Sequence, residues 1–300
     1  MDTPLRIFVN VGGTLSSAED AVISALDHGF LFGDSVYETV RTFDRVPFLL
    51  EEHLDRLGRS MDRLFLSWPV PRDELRSEVL RTIEASPFDT EVRVRIVVSR
   101  GVGPFGLDID KCRDPLFVIY LSELAEGAIP ASASADGPDD GLPVVFSSVT
   151  RNSPDALDPS IKSGNFLNNI LAFRDAKAAG AHEAILCRAD GTIAEGTTSN
   201  VFMVKDGVLA TPRCEGILEG ITRAVILAEA RDDGIPVEER EIAPEEFLNA
   251  DEAFISSSVR GIVPISQVGE TSIADGRRGP ITRRLQALYQ KRVDESCGRR

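Results

Sequence analysis

Hydrophobic positions along the chain switch between two periods. Residues 5–11 (LRIFVNV) form a short apolar run, and 36–43 (VYETVRTF) alternate with β-branched and aromatic residues, so both read as strands. Leu54, Leu57, Met61, Leu64 and Phe65 then recur at helical spacing behind Glu51 and Glu52, whose charges suit a helix N-terminus. A second helix is predicted over 72–85, stopping before Pro87. Residues 91–99 (EVRVRIVVS) alternate as a strand, and 116–121 (LFVIYL) read as a buried one.

The segment 125–143 (AEGAIPASASADGPDDGLP) breaks this rhythm with Ala, Ser, Gly, Asp and Pro, and reads as a linker. A boundary near 122 therefore divides a smaller N-terminal domain (1–121) from a larger C-terminal one (122–300), with the linker at about 122–142. Beyond it the pattern predicts a strand at 143–149, a turn-rich run (RNSPDALDPS) and a helix over 165–180 ended by Gly180. Strands follow at 183–188, 192–194 and 200–205, with hairpin signals at Asp190-Gly191 and Asp206-Gly207. Helices at 221–232, 244–249 and 280–291 and strands at 237–241 and 252–256 complete the chain. Strands and helices mix without a strict βαβ alternation, which favours an α+β fold over a doubly wound sheet.

Length agrees with two domains: 300 residues at about 150 per domain. Net charge is −15, from 33 Lys and Arg against 48 Asp and Glu, which disfavours nucleic acid as a partner because phosphates need a basic surface. It does not exclude a small anion held by a local set of donors. No apolar run approaches the roughly 20 residues of a membrane span, and the start (MDTPLRIFVNVGG) has no signal-peptide pattern. Cys112, Cys187, Cys214 and Cys297 are scattered without C-x-x-C, which argues against a zinc site or a disulfide framework. No metal is expected, and the cytoplasm is the expected compartment.

Gly101, Gly103 and Gly106 fit G-x-G-x-x-G, but Pro104 and LDIDKCRDP leave no room for the helix that dinucleotide binding requires. A loop between two strands is the simpler reading. Three other segments stand out: IKSGN (161–165), AEGTTSN (194–200) and GILEGITR (216–223). Lys162 reads by default as a solvated lysine, and in a closed site as an amine nucleophile or base. Glu195 precedes a turn, and as a fixed carboxylate it suits a cationic ring nitrogen. Gly220-Ile221-Thr222 opens a helix, whose free N–H groups bind anions, and Ser256-Ser257-Ser258 supplies hydroxyls for the same purpose. Arg56 reads first as an exposed partner of Glu52 at i,i+4, and alternatively as a fork for phosphate. A lysine, a carboxylate and an anion cradle together suggest pyridoxal phosphate chemistry.

HGFLFGDSVYETVRTF, EEHLDRL, IKSGNFLNNILA, AEGTTSNVFMVKDG, GILEGITR and SSSVRGIVPI, in this order, resemble the class IV aminotransferases, the fold-type IV pyridoxal phosphate enzymes. The resemblance spans nearly the whole chain. It implies a small N-terminal and a larger C-terminal domain, usually in a homodimer. It implies that Lys162 carries the cofactor and shuttles the proton, and that Glu195 pairs with the ring nitrogen. Arg56, Ile221, Thr222 and Ser258 are then the phosphate ligands, and Leu218 packs on the ring. Tyr37, Arg41 and Arg95 fall on strand positions that face substrate in the family. Phe166 departs from the pattern, since many members carry a tyrosine there near the phenolic oxygen. The implied reaction moves an amino group from an amino acid to a 2-oxo acid such as 2-oxoglutarate. A branched-chain L-amino acid is the leading substrate, followed by a D-amino acid and then by aminodeoxychorismate lyase activity.

Overall fold

The computed structural model describes residues 6–125 and 127–299. The chain divides into two compact units. One holds residues 6–125 with Ile161–Asn165 and 296–299; the other holds Gly127–Ser160 and Phe166–Glu295.

The first unit contains β1 (Ile7–Val11), β2 (Thr14–Ser17), α1 (His28–Phe32), β3 (Ser35–Phe43), β4 (Val46–Pro47), α2 (Leu50–Arg63), α3 (Arg72–Ala85), β5 (Val92–Ser99) and β6 (Leu116–Glu123). Its strands form one antiparallel sheet in the order β2-β1-β6-β5-β3-β4. Alternation along β3 and β5 sends Val36, Val40, Val94, Ile96 and Val98 into a core shared with Leu54, Leu57 and Met61 of α2. Each such burial stabilises by roughly 1.5–3 kcal/mol before the entropy of ordering is counted.

The second unit contains β7 (Leu142–Phe146), α4 (Leu167–Ala178), β8 (Glu183–Cys187), β9 (Ile193–Gly196), β10 (Asn200–Lys205), β11 (Val208–Thr211), α5 (Ile221–Asp232), β12 (Val237–Glu239), α6 (Pro244–Leu248), β13 (Glu252–Ser257), β14 (Gly261–Val268), β15 (Thr271–Ser272) and, up to Glu295, α7 (Pro280–Cys297). Eight strands run in the order β12-β11-β10-β13-β14-β7-β8-β9, with β15 on β14. Parallel pairs at β11–β12, β14–β7 and β7–β8 sit among antiparallel ones. The sheet is therefore mixed, and the α+β reading holds.

Most elements lie where the pattern placed them, and α3 and α5 agree to the residue. The largest omission is β14. Pro264 lies inside it, opposite Phe254, and a proline within a run argues against a central strand. Here Pro264 pairs with β13, and the pairing with β7 begins one residue later, at Ile265. The glycine motif is a loop: Gly101 has φ +87°, and only the short 3-10 turn Ile109–Lys111 follows before β6. A Cβ at Gly101 would stand 2.2 Å from the Asp114 carbonyl oxygen, so the glycine serves chain crossing.

Candidate functional site

In the first unit, β3 carries two kinds of chemistry on its two faces. Val36 and Val40 point into the core, and by the same parity so does Glu38, whose exposure is 0%. A carboxylate there needs partners, and α2 supplies them. Arg56 Nε donates to Glu38 Oε1 at 2.7 Å and Arg56 Nη2 to Oε2 at 2.8 Å. His53 Nδ1 lies 2.7 Å from the same Oε2. Arg56 is thus buried and forked onto Glu38, not exposed beside Glu52 as the local i,i+4 spacing suggests. Burial raises the Glu38 pKa, but Arg56 and His53 outweigh it and hold the carboxyl far below its ordinary range. Burial also pushes the His53 pKa below 6.5; Glu38 opposes this, and the Arg56 and Lys162 charges add to it. We therefore take His53 as a neutral ring donating Nδ1–H to Glu38.

The lysine segment is laid against the same two elements. Tyr37 N–H donates to the Lys162 carbonyl at 2.9 Å, Lys162 N–H donates to Ser60 Oγ at 3.2 Å, and Ser163 bridges Val36. On the opposite face of β3, the ring of buried Tyr37 gathers two cations. Lys162 Nζ lies 4.5 Å from its centroid and Arg95 Cζ lies 3.9 Å from it. Arg95 sits across from Thr39 and Tyr120 on the neighbouring strands. Tyr37, Arg95 and Lys162 are thus brought together, whereas Arg41, further along β3, lies 4.3 Å over the Phe43 ring.

In the second unit, Glu195 lies buried on β9. Its Oε1 accepts from Arg151 Nε at 2.8 Å and its Oε2 from the Leu218 N–H at 3.0 Å. The Leu218 carbonyl in turn accepts from Asn200 Nδ2 at 2.9 Å. Asn200 begins β10 and pairs with Ser256 of β13. It also explains Gly220, where a Cβ would meet Asn200 Oδ1 at 1.9 Å. Gly220 is the N-cap of α5 and offers no side chain to the helix, so the buried Ile221 and Thr222 begin a first turn without a side-chain cap. Nearby on β13, the buried Ser256 Oγ has no hydrogen-bond partner. An uncapped helix start and an orphaned hydroxyl are the features that an anion-binding cradle presents to its anion.

Ser258 follows the end of β13, in a loop tied down by Arg260. Arg260 donates to Ser257 Oγ at 3.4 Å, to Thr198 Oγ1 at 3.0 Å and to Glu183 Oε2 at 2.7 Å. Glu183, buried, also takes the Thr197 N–H at 3.0 Å and the hydroxyls of Thr197, Thr198 and Ser199. The hydroxyl-rich loop after Glu195 and the one after β13 therefore share an anchor. Phe166 immediately precedes α4 as its N-cap.

Sequence reasoning missed Glu38, His53, Arg151 and Glu183. The parity of β3 carries a signal for Glu38, since it shares a face with Val36 and Val40. Arg151 heads a turn-rich run and carries no such signal. Among the described residues there is no group of three or more His, Cys, Asp or Glu able to hold a metal. No helix of the described residues is long and apolar enough to cross a membrane.

The model of the family "Amino-transferase class IV" matches residues 35–268. A putative branched-chain-amino-acid aminotransferase of Methanocaldococcus jannaschii is 38% identical over 288 residues, covering 95% of this chain and 96% of the relative. A D-alanine aminotransferase of Listeria monocytogenes is 34% identical, covering 98% of each chain. The crystal structure of a branched-chain amino acid aminotransferase from Thermobaculum terrenum, in its PLP-bound holo form, superposes with a TM-score of 0.85 at 28% identity. The match covers 99% of this chain and 96% of that one.

Proposed function

The chain belongs to the class IV aminotransferases, a pyridoxal-phosphate-dependent enzyme family, and from that premise we propose that it transfers the amino group of a branched-chain L-amino acid to a 2-oxo acid such as 2-oxoglutarate. The substrate choice is supported by the 38% identity to the archaeal relative of that name. The observation that carries the cofactor site is in the second unit: a buried carboxylate, Glu195, beside an uncapped helix start and the unpartnered Ser256.

The residues fit the cofactor. In this reading the Ile221 N–H, Thr222, Ser258 and Arg56 would hold its phosphate, and Glu38 orients the Arg56 guanidinium. Glu195 would accept a hydrogen bond from the ring nitrogen, and Leu218 would pack on the ring. When bound, pyridoxal phosphate supplies the electron sink that makes the substrate Cα–H acidic. Lys162 would carry the cofactor, and its Nζ would take the proton from the substrate Cα and return it. Tyr37, Arg41 and Arg95 would face the substrate, where a guanidinium suits the α-carboxylate. Two half-reactions at one site give ping-pong kinetics.

A second reading, transfer from a D-amino acid, is favoured by the 34% identity to the D-alanine enzyme over 98% of both chains. Mixing the cofactor-loaded protein with L-leucine or with D-alanine separates the two. Loss of the cofactor's visible band with L-leucine alone supports the first reading, and loss with D-alanine alone replaces it with the second. A band that neither substrate alters points to lyase chemistry, and failure to take up the cofactor at all removes both readings.

We further propose that the enzyme works in the cytoplasm as a homodimer. The support for a dimer is apolar exposure: Leu167 is 73% exposed and Phe30 70%, with Ile170, Leu171, Phe105 and Leu107 also open. A mass twice that of the chain by light scattering is the expected result.

A further inference from the structure

Arg151 is held at three points. Its own N–H donates to the Cys187 carbonyl at 2.9 Å, which fixes the backbone beside β8. Its Nη1 donates to Asn168 Oδ1 at 3.0 Å, and Asn168 Nδ2 donates back to the Thr150 carbonyl at 2.8 Å. Its Nε then meets Glu195 Oε1 at 2.8 Å, with the arginine side chain 9% exposed and the glutamate side chain 6%. This geometry differs from a carboxylate strut. A strut forks two nitrogens of one guanidinium edge onto both oxygens, as Arg56 does with Glu38. Arg151 instead gives Glu195 one nitrogen and gives Asn168 another. The Leu218 N–H takes the second oxygen. Each carboxylate oxygen accepts about two hydrogen bonds, so the plane of Glu195 is fixed while its acceptor capacity is not filled.

We propose that Arg151 is a positioning residue for Glu195, fixing the carboxylate plane and balancing its charge so that the cofactor's ring nitrogen keeps its proton while bonded to it. The inference rests on the reading that Glu195 faces that nitrogen. A buried carboxylate with no counter-charge is a strong proton acceptor in a low dielectric. A proton drawn from the ring nitrogen to Glu195 would leave a neutral ring, which is a weaker electron sink. The guanidinium 2.8 Å away stabilises the anionic carboxylate and so keeps the proton on the ring. Asn168 sets the guanidinium in place from the first turn of α4.

The test is a double-mutant cycle on the cofactor-loaded protein, read by pyridoxal phosphate affinity and by the pH midpoint of its visible band. R151M keeps the length of the side chain and removes its charge. It is expected to weaken cofactor binding about tenfold, the scale of one charge-assisted hydrogen bond, and to move the midpoint upward. R151K should recover part of both. In an E195Q background R151M should change affinity less than about twofold, because its partner carboxylate is gone. Equal losses in both backgrounds, or an unchanged midpoint with only a lower melting temperature, would show a strut and overturn the proposal. Should R151M fail to fold, N168A displaces the guanidinium without removing it, and an unshifted midpoint there overturns the proposal equally. A wild-type protein that takes up no pyridoxal phosphate overturns the functional reading, and this inference with it.

Discussion

Glu38 and Glu195 are both buried on strands, and both are bound by an arginine, yet they do different work. Glu38 receives two guanidinium nitrogens and a histidine nitrogen within 2.8 Å, and Oε2 alone takes two of the three. Glu195 receives one guanidinium nitrogen and one backbone N–H, one for each oxygen. With the Thr39 N–H at 3.3 Å, four donors crowd the first carboxylate, three of them on Oε2, while the second has one donor on each oxygen. Equal burial therefore does not mean equal role. The number of donors around each carboxylate separates one held by its own unit from one with room for a further donor, as the proposed function requires of Glu195.

Substitution at each carboxylate breaks or sharpens this contrast. Glu195→Ala is expected to lower turnover by about a thousandfold while shifting the melting temperature less than a change at Glu38 does, since Arg151 keeps Asn168 as an acceptor. Lys162→Ala should lose at least as much turnover, because the proton transfer goes with it. A fall of less than tenfold in either variant would remove that residue from the chemistry. Glu38→Gln is expected to act first on stability. It strips the counter-charge from buried Arg56, and breaking one partner of a buried ion pair costs about 3–5 kcal/mol. Urea denaturation of the two glutamate variants side by side makes the comparison directly. If Glu38→Gln were as stable as wild type, the Glu38 cluster would not be a strut.

The two clusters were unequally legible in the sequence. Helix α5 could be read because Gly220 and the following Ile-Thr mark a start, and its N-terminal anion chemistry follows from any helix start. Lys162 and Glu195 could be placed by their motifs. Their partners could not. Glu195 and Arg151 are 44 positions apart, and Glu38 and Arg56 are 18 apart on different elements. Such pairs exist only once the sheets are assembled. Local reasoning paired Arg56 with Glu52, one turn away on the same helix, and the buried Glu38 won because an arginine on the core face of α2 has no route to water. In the same way β14, which the sequence pattern left unassigned, is defined by its pairing with β13 and β7, and that pairing exists only in the assembled sheet.

His53 gives a pH-dependent way to probe the Glu38 cluster. Burial holds its folded-state pKa below 6.5, so the unfolded chain binds a proton that the folded chain does not as pH falls past that value. Stability is then fully present above 6.5 and declines as pH falls below it, by up to about 1.4 kcal/mol per pH unit. Glu38 works in a lower window. Its folded pKa lies far below 4.5, so its contribution is present above that value and is lost only as strong acid protonates it. His53→Gln retains a side-chain donor near Glu38 and should flatten the slope below about pH 6.5. An unchanged slope would assign it to another group.

Ser256 offers the smallest effect and the finest discrimination. Its Oγ is buried on β13 without a hydrogen-bond partner, an arrangement that costs free energy in the cofactor-free protein. Ser256→Ala removes that cost, so the cofactor-free protein should melt at the same temperature as wild type or slightly above it. If the hydroxyl completes the anion cradle beside α5, the loss appears only on loading, as a several-fold weaker affinity for pyridoxal phosphate. A purely structural serine predicts the reverse, with a lower melting temperature in the cofactor-free protein and an unchanged affinity. Differential scanning calorimetry with and without the cofactor reads both quantities. The sign of the difference tells whether the hydroxyl belongs to the packing of the sheet, as Glu38 belongs to its cluster, or serves a ligand, as proposed for Glu195.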